Sequence, residues 1–424
     1  MNLDTTGFAD ALKKKATTYS VPESTPPFEH CVRKFSVETS SEPFTDRFVF
    51  DLLLFGAMKP HLLWQSFHDH LRYLIERRAV DLAMSRIESG SKAVVIHSDL
   101  GNGKTATIEG LKLRVTERGF DVYTVAVRGE SLFEELEWLC RSGRRTVLVV
   151  ETYPDWFDVL AFLGVNAPKT ISVVLSARTS THDVTFDRLS EKLHTDAIVE
   201  ISVDRLTPDE CDGIIDLFDE YGLWGDLASR SRRAKADYLS VKCHAQWNAI
   251  LIDRFQSPQI QERFAPILES LSKKKPHYEI IIAILVLTVL DYLPSLDVLI
   301  AVSGSGVLEQ SFKRDPSVTE LIDTASGRIV LRSSVAGQFI LKQIADPNVV
   351  VGVLTKMTKA ADVQAGPSTF YFGLLKALTR FSSLQDILPE KERRKAVIRF
   401  YESIKGLQST KKNPLFWLQY AIAC

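Results

Sequence analysis

Lys104 and Thr105 follow two glycines, Gly101 and Gly103, in the run Ser98-Asp99-Leu100-Gly101-Asn102-Gly103-Lys104-Thr105. A glycine-bearing turn lets backbone N–H groups point inward, and such a nest holds the oxygens of a phosphate. Lysine at that place reaches the β- and γ-phosphates, while the next threonine hydroxyl completes a magnesium shell. The usual spacing is G-x-x-x-x-G-K-[ST]; here Ser98 stands at the first glycine, and Gly101 relieves the turn. Ser98 to Thr105 are therefore the expected phosphate site, with ATP and Mg2+ as ligands.

That chemistry needs a strand before the loop and a helix after it. Val94-Val95-Ile96-His97 supplies the apolar strand, and a helix starting near Gly103 adds its positive dipole end to the bound anion. Downstream, Asp121–Val127, Thr146–Val150, Thr170–Leu175 and Ile198–Val203 read as strands separated by helices, one of them capped by Ser131. Thr146-Val147-Leu148-Val149-Val150 is apolar throughout, as suits a parallel strand buried on both faces. The expectation is an α/β fold with a five-stranded, doubly wound parallel sheet.

Ligands of such sheets sit at the carboxyl ends of the strands. Glu151 directly follows Val150 and is expected to hold the magnesium through water. Arg178, in Ser176-Ala177-Arg178, is expected to meet the terminal phosphate, which its permanent charge and forked donors suit. Asp155 and Asp158 read as helix caps.

Composition narrows the class. The chain has 424 residues, 45% hydrophobic and 25% charged, which predicts two to four modules of a soluble protein. A net charge of −1 gives no global attraction to nucleic acid or to an anionic membrane. The short basic clusters, such as Lys273 to Lys275, read as solvated helix faces. Five scattered cysteines without a C-x-x-C pair suggest reduced thiols in a cytoplasmic protein. The N-terminus has no apolar signal segment, and the run Ile280–Leu290 is too short for a bilayer span, so it reads as a buried helix.

Punctuation by proline and glycine suggests six segments. They are a loosely ordered 1–45, a helical lead-in over 46–92 and the phosphate-binding core over 93–205. A helical lid over 206–275, a winged-helix-like module over 276–346 and C-terminal helices over 347–424 follow. The lead-in shows helical periodicity over Phe48–Leu54 and Leu62–Ile87. The lid opens with Leu206-Thr207-Pro208-Asp209-Glu210, in which Thr207 is the cap and Pro208 the first helical residue, and helical patterning recurs over Asp237–Phe255. One short strand reads at Gly327–Arg332, with no obvious partner. The apolar, uncapped ending Pro414–Cys424 suggests a chain cut short or a face covered by a partner.

The order of phosphate loop, acid-ended strand, Ser-Ala-Arg ending, Leu-Thr-Pro-Asp-Glu lid and winged-helix-like segment resembles the STAND class of signalling NTPases. These are relatives of AAA+ ATPases, and the likeness is to bacterial antiphage-defence members, often fused to sirtuin-like or nuclease effectors. It covers about Leu71 to Ile344. The resemblance implies that Ser98 to Thr105 bind ATP, that Glu151 takes the Walker B place and that Arg178 takes the sensor place. It further implies a closed monomer that becomes a homo-oligomer on ATP exchange, with a C-terminal helical array or partner protein sensing the trigger.

Two departures stand out. The family commonly has two adjacent acids after the Walker B strand, and here Glu151 is followed by Thr152, so ATP hydrolysis is expected to be slow. Residues 1 to 90 show no effector: no dinucleotide fingerprint, no metal-binding cluster and no nuclease triad. An AAA+-like ATPase acting on DNA and a nucleotide-free scaffold are the alternative readings. The near-neutral charge disfavours the first.

Overall fold

The computed structural model describes residues 30–37, 42–68, 72–256, 258–323, 329–366 and 368–424. Its centre is a mostly parallel six-stranded sheet with helices on both faces. Five strands lie where the hydrophobic runs put them: β2 (Ala93–His97), β3 (Asp121–Val125), β4 (Thr146–Val150), β5 (Ile171–Ala177) and β6 (Ile198–Ser202). All five run parallel. Val94, Ile96, Val147, Val149 and Val174 face one helical layer, and Val95, Leu148, Val150, Val173 and Leu175 face the other. Fully burying each such side chain contributes about 1.5–3 kcal/mol.

The sixth strand corrects the five-strand expectation. β1 (Val32–Lys34) runs antiparallel along β3, pairing Val32 with Val125 and Lys34 with Tyr123. It falls in a stretch read as loosely ordered; residues 1–29 and 38–41 of that stretch lie outside the described residues. Buried Glu135 explains the strand. Its carboxylate accepts the Val32 N–H at 2.7 Å and the Cys31 N–H at 3.1 Å. Ser131, expected to cap the helix Leu132–Arg141, instead donates its hydroxyl to Glu135 at 2.8 Å.

Strand order is β1-β3-β4-β5-β2-β6. The chain leaves β2, crosses to β3, works back through β4 and β5 to rejoin β2, and places β6 on the far side. The order therefore reverses beside β2, and a crevice opens at the carboxyl ends of β2 and β5. That switch point is where open α/β sheets bind ligands.

The lead-in departs from a single periodic helix over 62–87. It forms helices Asp46–Phe55, Pro60–His68 and Arg78–Glu88, with a turn at 72–74 before the last; Leu71 of the periodic stripe lies outside the described residues. Tyr73 and Arg77 account for the break. The Tyr73 hydroxyl receives the Lys59 N–H at 3.0 Å, and Arg77 reaches sideways into the core. Thr207 and Glu210 form a reciprocal capping box at the start of helix Pro208–Glu220. The segment 237–255 is interrupted at His244 and Ala245, both in left-handed backbone, where the Ala245 carbonyl accepts the Leu206 N–H at 2.7 Å. Helix Trp247–Phe255 restarts from there.

Helix Lys275–Val289 is the spine of the second half, with every residue from Ile280 to Leu287 fully buried. No helix among the described residues, this one included, is long and apolar enough to cross a membrane. The short strand β8 (Val330–Leu331) finds its partner in β7 (Ile322–Asp323), two antiparallel residue pairs in all. From Pro347 onward the chain is helical.

Candidate phosphate-binding site

The loop 98–103 joins β2 to the helix Lys104–Glu117 across the switch point. Gly101 (φ +80°) and Gly103 (φ +89°) both lie in the left-handed region, a conformation that costs glycine little. The first N–H groups of helix Lys104–Glu117 have no acceptor within the helix. Gly101, Gly103, Lys104, Thr105 and Ala106 line a cavity of about 310 Å³ at that helix end. Leu52, Leu53, Met58, Leu74, Trp247 and Leu251 give it an apolar wall.

Lys104 is the telling residue. Its ammonium donates to the Ser98 carbonyl at 2.6 Å, the Asp99 carbonyl at 3.2 Å and the Ser98 hydroxyl at 3.2 Å. Among the described residues it makes no ion pair. Burial, and then repulsion from Arg178, pull its pKa down to about 8. A partly desolvated cation with no carboxylate in contact is costly, and an anion bound in the cavity lowers that cost. The residues present thus fit a phosphate-bearing ligand.

The loop is held from outside by residues that no motif announces. Arg77 donates to the Asn102 carbonyl and to the Val203 carbonyl, each at 3.0 Å, and to the Glu210 carboxylate at 3.1 Å. Asp204 accepts the Asp99 N–H at 2.6 Å and the Asn102 amide at 3.0 Å. Asn248, from helix Trp247–Phe255, donates its side chain to the Leu100 carbonyl at 2.7 Å and its backbone N–H to the Asn102 side chain at 3.0 Å. A general expectation that a loop's N–H and C=O groups need partners is the only sequence signal for these three; their positions gave none.

Glu151 and Arg178 sit differently from expectation. Glu151 lines a neighbouring cavity, and Thr152 is the residue from the end of β4 that lines the Lys104 cavity. Glu151 faces Lys112 at 3.8 Å, and burial raises its pKa against that attraction. Thr152 holds a left-handed backbone (φ +49°) and lines both cavities. The structure therefore brings Thr105 and Thr152 to one cavity and leaves Glu151 beside it.

Arg178 does line the Lys104 cavity, but its guanidinium is already engaged. It pairs with Asp291 at 2.8 Å and donates to the Val289 carbonyl at 2.8 Å and the Thr288 carbonyl at 2.5 Å. These are the closing groups of helix Lys275–Val289, 110 residues further along. Asp155 lines the neighbouring cavity with Glu151, and Asp158 is tied up by Arg128 at 2.6 Å.

His97, His182 and Glu200 form a second cluster, their ligating atoms within 4.8 Å of one another. The two imidazoles stack at 4.7 Å with 29° between their planes, so their in-plane lone pairs run side by side instead of converging on one ion. His182 is satisfied by Tyr153 at 2.9 Å and Glu200 at 2.8 Å. The Thr179 hydroxyl donates to Asp204 at 2.8 Å, which makes His97 Nδ1 the donor in its 3.1 Å bond to Thr179. The cluster is a hydrogen-bonded support for the loop.

No family model matches the sequence, and no curated protein does. Among solved structures, the chain is similar to a Walker-type ATPase of Pyrococcus abyssi, at 11% identity over 63% of this chain and 96% of that one, with a TM-score of 0.28.

Proposed function

We propose that this chain is an ATP-binding, STAND-type signalling NTPase, a nucleotide-controlled conformational and oligomerisation switch of bacterial defence. The observation that carries the nucleotide site is the half-buried Lys104 ammonium, in contact with carbonyls and a hydroxyl but no carboxylate, over a glycine turn at the switch point. The apolar wall of Leu52, Leu53, Met58 and Trp247 suits a nucleobase. Magnesium bound by the Thr105 hydroxyl would neutralise phosphate charge.

The same cavity supports the switch reading. Arg332, Ser333, Ser334 and Val335 line it together with the core residues, so the winged-helix-like segment shares a wall with the nucleotide. The segment boundaries near 205, 275 and 346 belong to this proposal, as do cytoplasmic location, homo-oligomer formation on activation and an effector or sensor partner.

Slow hydrolysis follows from the acid inventory. Asp291 is the only carboxylate among the described residues lining the Lys104 cavity, and Arg178 holds it. No acid there is free to activate a water.

Calorimetric titration of Mg-ATP into the wild type and Lys104→Ala tests the site. We expect binding to the wild type and a loss of about tenfold or more in the variant. No binding by either would leave a nucleotide-free scaffold as the answer, and equal affinity would place the nucleotide away from Lys104. A fast, unstimulated ATPase rate would contradict the slow-turnover part alone.

A further inference from the structure

We infer that the cleft between the carboxyl ends of β3 and β4 and the segment 290–293 binds an extended aliphatic polyamine. This site is independent of whatever fills the Lys104 cavity. The cleft measures about 1190 Å³, against about 310 Å³ for the Lys104 cavity, and shares with it only Thr152 and Asp291. Glu151, Asp155 and Trp156, just after β4, form its near wall, while Tyr292, Leu293 and Phe370 form the far one.

Four charged side chains line the cleft, and two of them are already matched. Arg128 is held by the Asp158 carboxylate at 2.6 and 2.9 Å, and Asp291 pairs with Arg178 at 2.8 Å. Glu151 and Asp155 remain. Glu151 has the Lys112 ammonium at 3.8 Å, but Glu109 already takes that ammonium at 2.6 Å. The Asp155 carboxylate makes no hydrogen bond or ion pair among the described residues. Partial desolvation raises the pKa of both acids, as it does for negative charge short of a counter-ion.

A compact metal ion does not answer this charge. Among the described residues, His97, His182 and Glu200 are the only three such groups whose ligating atoms lie within 4.8 Å of one another. Glu151, Asp155 and Asp291 therefore do not close on one ion, and charges spaced along a chain match them better. The stem of such a chain needs apolar contact, which the far wall supplies. Tyr292 and Phe370 meet edge to face at 5.6 Å, and Leu293 is 56% exposed beside them. Gly373 leaves room for Tyr292, since a Cβ there would come within 3.0 Å of its hydroxyl. On the near wall the Arg128 guanidinium lies 4.6 Å from the centre of the Trp156 ring, so the cleft already holds one organic cation against an aromatic face. Ammonium groups separated by methylenes make both contacts at once, the stem on apolar surface and the heads on carboxylates.

The test titrates spermidine by calorimetry, without nucleotide, into the full chain. The proteins are the wild type, the double variant Glu151→Gln with Asp155→Asn, Tyr292→Ala and Lys104→Ala, each checked for folding by thermal unfolding. The comparison ligands are n-butylamine, which has one ammonium on a similar stem, and Mg2+ at matched ionic strength. The wild type should bind spermidine about tenfold or more tighter than n-butylamine, and Mg2+ should not displace it. The double variant should lose about tenfold or more, Tyr292→Ala about fivefold, and Lys104→Ala nothing. Absent wild-type binding, equal affinity for n-butylamine, displacement by Mg2+, or unchanged affinity in the folded double variant would each overturn the inference. A loss confined to Lys104→Ala would overturn it too, by placing the amine in the other cavity. The wild-type comparisons decide the matter even where a variant fails to fold, and none of these results bears on nucleotide binding at Lys104.

Discussion

Arg77 and Glu210, 133 residues apart, form an ion pair at 3.1 Å in which both side chains are less than a tenth exposed. Glu210 also accepts the backbone N–H groups of Arg78 at 2.8 Å and Thr207 at 2.7 Å. One carboxylate thus joins the start of helix Arg78–Glu88 to the start of helix Pro208–Glu220, while Arg77 reaches on to the loop at Asn102. Removing one partner of a buried pair leaves the other charge uncompensated. Arg77→Ala should cost about 3 kcal/mol of stability and loosen the loop. Glu210→Gln should cost less, since its amide oxygen can keep one of the backbone bonds. Urea unfolding followed by tryptophan fluorescence checks both.

Lys104 gives a pH dependence with a definite sign. Its pKa falls from 10.5 to about 8 in the folded chain. Below pH 8 both folded and unfolded states carry the proton, and the folded state bears the full cost of the buried charge. As pH rises from about 8 to 10.5 the folded state gives up its proton first, so that cost is relieved. The cost is on the order of 3 kcal/mol. Lys104→Met should therefore be more stable than the wild type at pH 7, by thermal unfolding, with the gap closing by pH 10. Wild-type phosphate affinity should fall through the same window.

Gly101 faces the far module. A Cβ built there would lie 2.3 Å from Val335 Cγ2 and 3.3 Å from the Asn248 side chain, on a backbone at φ +80°. Gly101→Ala should destabilise the chain through both the clash and the backbone strain, by about 1–3 kcal/mol. Adding Val335→Ala should recover the steric part and leave the strain. A double-mutant cycle by thermal unfolding separates them; strict additivity would mean that the two residues do not meet.

Glu135 should matter locally. Glu135→Gln places an amide N–H against the Cys31 and Val32 donors that the carboxylate now accepts. Hydrogen exchange at residues 32–34 should speed up while β4 and β5 keep their protection. Uniform loss of protection across the sheet would show that β1 is part of the global core.

The five parallel strands were legible because each is a short apolar run flanked by turn-forming residues, as in Val147 to Val150 and Val173 to Leu175. The turn at 98–103 was legible because its geometry is local: the two glycines, the lysine and the helix start all come from consecutive residues. Strand β1 was not. Val32-Arg33-Lys34 carries no pattern of its own, and a carboxylate from a distant helix holds it. Its antiparallel pairing at the sheet edge could be found only in three dimensions.

Site residues divide along the same line. Lys104 and Thr105 follow from sequence spacing, since backbone geometry in a strand–loop–helix unit places them. Glu151 and Arg178 were found as residues at strand ends, but a strand end does not fix where a side chain finally points. The left-handed turn at Thr152 and the helix end at Thr288 and Val289 decided that. Arg77, Asp204, Asn248 and Asp291 carry no local signal, because each acts on a partner remote in the chain. Sequence determined the loop, the strand before it and the helix after it, which depend on neighbours a few residues away. Tertiary structure alone decided which charge meets Arg178, because that contact is made by helices folded together from opposite halves of the chain.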